Sequence, residues 1–354
     1  MYQPLQIGNY TASVPIVQGG MGVGISLEGL ASAVAKCGGV GILSAAQIGY
    51  REPDYETAPL KANLEAVRKY IRKAKEMAQG KGIIGINIMV ATRYYEEYVK
   101  AAVEAAVDLI VSGAGLPVNL PEFTKGTSTK IAPIVSSVKA ANVILKMWDK
   151  KYGTTANMVV IEGPEAGGHL GFKKEEIHTL SRTDYAVEIK NIIEVVKEYG
   201  EKYGKKIAVV AGGGIYTRED AKRVMDLGVD GIQVSTRFVT TRECDASDAY
   251  KECYLHAKEE DIVIVDSPVG MPGRAIQNSF LEEVKNRRQP VSKCYQCIKG
   301  CNATDNPYCI SKALVNAVKG NVEEGLIFCG AGAYKADKIE TVEEVMQDLV
   351  QGII

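Results

Sequence analysis

Three histidines are all that the 354 residues contain, so imidazole chemistry has few places to stand. The chain also lacks any apolar run of about 18 residues, which excludes a membrane-spanning helix. An excess of one charge is missing too. Lysine and arginine number 42 against 43 aspartates and glutamates, and a net charge of −1 provides no field to gather nucleic acid or an anionic bilayer. The opening MYQPLQIGNY has neither the basic nor the apolar stretch of a secretory signal. A cytoplasmic protein is the expectation, acting on a small molecule rather than on nucleic acid or membrane. In that reducing compartment eight cysteines argue less for disulfides than for metal or redox chemistry. Internal repeats and low-complexity tracts are absent as well.

Glycine is what the sequence has in quantity, with 36 residues, and its placement follows a rhythm. Eight apolar runs read as strands: PIVQG (15–19), VGILS (40–44), IGINIMV (84–90), LIVSG (109–113), IAPIV (131–135), MVVIEG (158–163), IAVVAG (207–212) and GIQVS (231–235). They are continuously apolar rather than alternating, as parallel strands covered on both faces are. Helical periodicity separates most of them. Leu60, Leu64, Val67, Ile71 and Ala74 form one stripe, 185–203 reads as a long helix, and Thr217-x-x-Asp220 reads as a capping box. The reading is an α/β fold, a TIM (β/α)8 barrel with a second, smaller domain near the C-terminus. The barrel takes residues 1–239 and 326–354. The smaller domain takes 240–325, where SPVGMPGR, a basic patch at Lys285–Arg288 and a cysteine cluster break the rhythm.

A barrel of this kind works at the C-terminal ends of its strands. Four of those ends run into glycine: GGMGVG (19–24), SGAG (112–115), EGPEAGGHLG (162–171) and AGGG (211–214). The alternative is that these are only tight turns; together they suit a large ligand lying across the mouth. AGGG ahead of a capped helix is an anion cradle, and Ser235 and Thr236 add hydroxyls from the next strand. GGMGVG does not have the spacing of a dinucleotide-binding turn. His169 lies in the glycine loop after the sixth strand. It is a candidate acid, base or polarising group, against the alternative of a structural hydrogen bond. His178 and His256 sit in polar surroundings and read as surface residues. Glu162 ends the same strand as His169.

PIVQGGMG, GGVGILSAA, GINIMV, VSGAG, EGPEAGGHLG, VVAGGGI, GIQVSTRFVTTREC and KALVNAVKGNVEEG together resemble the nitronate monooxygenase (2-nitropropane dioxygenase) family, which includes enoyl-ACP reductase II. The resemblance implies FMN, with the smaller domain covering the flavin. It implies Gly20 and Met21 against the ring, Asn87, Ser112 and Glu162 on the ring and ribityl chain, and Gly167 and Gly168 beside a catalytic His169. Gly213, Gly214, Ser235 and Thr236 would bind phosphate, and Gln233 would face FMN. STRF stands where the family usually has GTRF. Three activities follow from the resemblance: oxidation of alkyl nitronates with His169 as base, NAD(P)H-dependent enoyl-ACP reduction through FMN, and quinone reduction. A non-catalytic flavin-binding protein is the reading of another class. The basic helix at 61–81 would suit an acidic acyl carrier protein, the plainer reading being a solvated face. Whether the chain forms a homodimer is left open.

Cys294, Cys297, Cys301 and Cys309 stand in a C-x2-C-x3-C-x7-C pattern. It suits an iron–sulfur cluster, zinc, a Cys294–Cys297 disulfide or a metal-free loop. An electron relay or a structural metal in the smaller domain is the function expected of it.

Overall fold

A computed structural model of the chain describes residues 2–354. Eight parallel strands close into a barrel: β1 (Ile16–Gln18), β2 (Val40–Ser44), β3 (Ile83–Asn87), β4 (Leu109–Ser112), β5 (Lys130–Val135), β6 (Met158–Glu162), β7 (Ala208–Gly212) and β8 (Gly231–Val234). All eight lie on the apolar runs expected for them. β8 pairs with β1 through Ile232, Gln233 and Val234 and so closes the ring.

The continuous apolar character of the strands has a direct cause. Alternate residues enter two different cores. Val17, Ile42, Ile83, Leu109, Val111, Met158, Val160, Ala208 and Val210 fill the barrel interior. Ile16, Leu43, Ile84, Ile86, Ile110, Val159, Ile161, Val209 and Ile232 pack outward against the helical ring. Leu5, Ile7 and Ala12 join the interior core from a hairpin of Leu5–Ile7 and Tyr10–Ala12 that precedes β1. The helix Pro59–Ala78 buries Ala66, Val67, Tyr70, Ile71 and Ala74 on one face. The long helix before β7 spans Arg182–Lys202. The helix Arg218–Met225 opens with the expected capping box. Thr217 Oγ1 accepts from Asp220 N–H at 3.2 Å, and Asp220 Oδ2 accepts from Thr217 N–H at 3.1 Å.

Beyond β8 the chain builds a second layer over the barrel mouth. The antiparallel strands Ile262–Asp266 and Pro272–Ile276 recruit Gly168–His169, from the loop after β6, as a third strand. Phe280, Leu281, Tyr308, Ile310, Ala313, Leu326 and Phe328 form a small core of their own. Tyr250, Tyr254, Ile276, Val315 and Val318 from the same stretch join the large core instead. Residues 326–329 bridge the two: their backbone pairs with this layer, Ile276 N–H donating to Ile327 O at 2.9 Å and Cys329 N–H to Arg274 O at 3.0 Å, while the Ile327 and Cys329 side chains pack in the large core. The final helix, Val342–Ile353, returns to pack on the barrel helices Glu28–Lys36 and Arg218–Met225.

Candidate active site

A glycine-lined cavity opens at the C-terminal ends of the strands. It gathers Gly20, Met21, Asn87, Glu162, Gly167, Gly168, His169, Gly213, Gly214, Gln233, Ser235 and Thr236. Strand parity explains the polar members. The interior positions of β3 run Ile83, Gly85, Asn87; those of β6 run Met158, Val160, Glu162; those of β8 run Gly231, Gln233. Each alternation ends on a polar side chain at the top of the barrel. The Asn87 amide, the Glu162 carboxyl and the Gln233 amide border the cavity, and a polar ligand there would give them partners.

Ser112 is the one expected ligand that the structure places elsewhere. Leu109 and Val111 occupy the interior positions of β4, so Ser112 points outward. Its hydroxyl donates to Ile88 O at 2.7 Å and meets the Tyr95 hydroxyl at 2.9 Å. The first bond joins it to the end of β3 and the second to the helix Tyr95–Glu104.

One end of the cavity is made by the turns after β7 and β8. Gly213 and Gly214 both have positive φ, at 103° and 70°, and the Ser235 and Thr236 hydroxyls lie on the neighbouring strand end. Gly330 N–H donates to Thr236 Oγ1 at 3.1 Å. Gly167 permits a close crossing on another side. A Cβ there would lie 2.7 Å from the backbone of Cys329 and Gly330, so any side chain would push 329–330 off the cavity wall.

His169 borders the same space. Its Nε2 lies 2.7 Å from Ser267 Oγ, with donor and acceptor set by the tautomer, and Phe328 meets the ring edge-on at 4.9 Å between centroids. Burial pushes the imidazole down to about 4, so it is neutral at ordinary pH. The SPVGMPGR stretch explains how the loop is held. Ser267 contacts the ring, Gly273 pairs with His169 and Arg274 with Gly168. The buried Arg274 guanidinium donates to Pro164 O at 3.0 Å and to Ala166 O.

Burial acts on Glu162 in the opposite sense, raising its carboxyl from 4.5 to about 7. A raised carboxyl contributes stability that is full below its unfolded value and is lost as pH rises through its folded one. Such a shift corresponds to about 3 kcal/mol. In flavin-free protein Glu162→Gln should therefore match the parent near pH 4 and exceed it in stability near pH 8, by up to that amount. Urea unfolding at the two pH values measures it; an identical gap at both would contradict the shift.

Several lining residues were not legible in advance: Ser44, Met89, Ile134, Tyr254, Phe328 and Cys329. Phe328 and Cys329 belong to the returning segment, and only the docking of the second layer brings them here. The basic helix 61–81 is largely engaged within the chain. Arg68 pairs with Glu104 at 2.7 Å, Lys69 with Glu52 at 2.9 Å, Lys73 with Glu28 at 2.8 Å and Lys75 with Asp108 at 2.6 Å. That fits the solvated face better than a carrier-docking surface. All eight cysteines are free thiols, so Cys294 and Cys297 are not joined. Among the described residues no three His, Cys, Asp or Glu side chains are placed to hold one metal ion, and no helix is long and apolar enough to cross a membrane.

A family model described as nitronate monooxygenase matches residues 3–352. A probable nitronate monooxygenase of Staphylococcus aureus (strain Newman) is 28% identical over 291 residues, covering 76% of this chain and 77% of the relative. One from Staphylococcus saprophyticus is 26% identical over 292 residues, covering 78% and 79%. Among solved structures, FabK from Thermotoga maritima superposes with a TM-score of 0.70 at 24% identity, covering 97% of this chain and 94% of that one. Nitroalkane oxidase from Streptomyces ansochromogenes gives 0.71 at 18%, covering 96% and 95%. At those identities the two structures speak for the barrel fold.

Proposed function

The chain belongs to the nitronate monooxygenase family, and from that premise we propose that it oxidises alkyl nitronates and their parent nitroalkanes with FMN, His169 serving as base. The coarser statement, an FMN-type oxidoreductase, follows from the family itself. The residues present fit the cofactor: three polar side chains border the cavity from the strand ends, and the end beside them is a glycine cradle with two hydroxyls. Gly213, Gly214, Ser235 and Thr236 would hold the phosphate. Asn87, Glu162 and Gln233 would hold the ribityl hydroxyls and the ring edge, and Gly20 and Met21 would lie against the ring. Bound there, FMN supplies a two-electron acceptor.

The observation that carries the reading is His169, an imidazole kept neutral at the wall of this cavity. A neutral ring can take a proton from the carbon bearing a nitro group. Ser267 and Phe328 fix its plane, so the lone pair is positioned before substrate arrives. The apolar wall supplied by Met21, Met89, Ile134 and Phe328 would exclude water from that carbon.

Cofactor released from purified protein should migrate as FMN, since a single phosphate cradle is present; FAD, or failure of the flavin-free protein to take up FMN, would refute the cofactor assignment. The flavin-loaded protein should then be bleached without oxygen by an alkyl nitronate. Bleaching by NAD(P)H instead, with recovery on crotonyl thioester or a quinone, would assign the chain to the reductase activities. No bleaching by any of these would leave a flavin-binding protein without this chemistry.

A further inference from the structure

All four cysteines of the C-x2-C-x3-C-x7-C pattern line one small cavity in the second layer, together with Tyr295, Ile298, Asn306 and Tyr308. They arrive from an irregular stretch, 287–309, that contains no helix or strand. So long a segment without regular structure is unusual in a packed domain. Its backbone is nonetheless fixed at both sides. Arg93 N–H donates to Cys297 O at 3.0 Å, Lys299 N–H to Ala91 O at 2.9 Å and Gln289 N–H to Pro307 O at 2.8 Å.

Two left-handed residues shape the turn. Gln296 has φ 51° and Gly300 φ 70°, one inside the C-x2-C step and one just before Cys301. A non-glycine residue in that region is uncommon, and here it lets Gln296 N–H approach Cys294 Sγ at 3.4 Å. The other sulfurs also have donors. The Asn306 amide donates to Cys301 Sγ at 3.1 Å. The Ser311 side chain reaches Cys297, and the backbone N–H groups of Ser311 and Lys312 reach Cys309. Cys309 also immediately precedes the helix Ile310–Lys319. Four sulfurs around one cavity, each met by a donor, form a ligand set for a group that binds thiolates.

We propose that Cys294, Cys297, Cys301 and Cys309 ligate an iron–sulfur cluster. The lining supplies four thiols and no histidine or carboxylate, the all-thiolate set that iron–sulfur clusters take. A disulfide is excluded in this conformation, where all four thiols are free. The position relative to the flavin cavity also matters. A further cavity is walled by Cys297, Ile298, Val269 and Ile310 on the cluster side and by His169 and Met89 on the flavin side. The cluster would thus stand one cavity away from the flavin, where an electron carrier would have to be.

The test needs neither substrate nor turnover. Protein purified without oxygen or chelator should contain iron and acid-labile sulfide in equal amounts, with an electron paramagnetic resonance signal in its oxidised or dithionite-reduced state. Cys297→Ser should lose most of both, and Cys294→Ser, at the exposed position, covers the case in which the first variant does not fold. Cys37→Ser, remote in sequence from the pattern, should keep them. FMN content should be unchanged in the folded variants, which separates this result from failure of the flavin site. Zinc without sulfide, no metal at all, or iron that survives both cysteine variants would each overturn the proposal.

Discussion

Gly214→Val should give a folded protein that purifies without flavin and binds FMN roughly 10²-fold more weakly than the parent. Two independent costs meet at this position. The backbone has φ 70°, and a branched side chain in that region costs on the order of 1–3 kcal/mol. A Cβ would also come within 2.1 Å of Glu165 Oε2 and 3.0 Å of Glu165 Cβ. Glu165 cannot swing away freely, because Arg182 Nε donates to both its oxygens, at 3.0 and 2.8 Å. The relief is movement of the β7 turn itself, which carries the N–H groups proposed to hold the phosphate; about 1.4 kcal/mol of lost interaction is tenfold in affinity. The barrel core lies below this turn and should survive. Gly153→Val is the control. Gly153 has φ 59° at the end of the helix Val138–Tyr152, and nothing lies within 4 Å of its added Cβ. It should lose stability and keep its flavin. Fluorescence titration of flavin-free protein with FMN, beside a thermal melt, reads both effects. Stoichiometric flavin in Gly214→Val would place the phosphate elsewhere.

The barrel was legible because its strands carry a repeated physical signature. Each must satisfy an interior core and an outer core, so each is largely apolar, and four of them run into glycine turns. The cradle at Gly213 and Gly214 and the hydroxyls of Ser235 and Thr236 follow from that rhythm. Ser112 shows what a motif read without parity overlooks: in LIVS the interior positions are Leu109 and Val111, so the serine must face the helices. The parts that were not legible depend on long-range docking. Ser267 is 98 residues from His169, and no local pattern links them. The segment 326–329 was expected to belong to the barrel. Its Ile327 and Cys329 side chains do pack in the large core, but its carbonyls and amides also bind the second layer: the Tyr254 hydroxyl donates to Phe328 O at 2.6 Å, and Cys329 N–H donates to Arg274 O. The second layer is therefore a wall of the site as well as an appendage, and SPVGMPGR is the clasp that joins it to the loop carrying His169.

That clasp gives the test of His169 its second arm. His169→Ala should retain FMN, because the residues proposed to hold it are separate from the imidazole, and should lose roughly 10²–10⁴-fold in turnover of a neutral nitroalkane, the range of a general acid–base group. In the parent the ring is neutral above about 4. A base held there remains competent through mildly acidic pH, so the acid limb attributable to it should appear only as pH falls toward about 4, well below an ordinary imidazole. Ser267→Ala keeps the ring and removes its 2.7 Å partner; a loss of roughly tenfold is expected from a less well-positioned base. The two effects should not add. In the double variant the serine has nothing to position, so turnover should equal that of His169→Ala alone, the behaviour of residues acting as one unit. A further fall in the double variant would separate Ser267 from the imidazole and give it a contact of its own with substrate or cofactor. Unchanged turnover in His169→Ala would remove the base from the mechanism altogether and return the histidine to a structural role between Ser267 and Phe328.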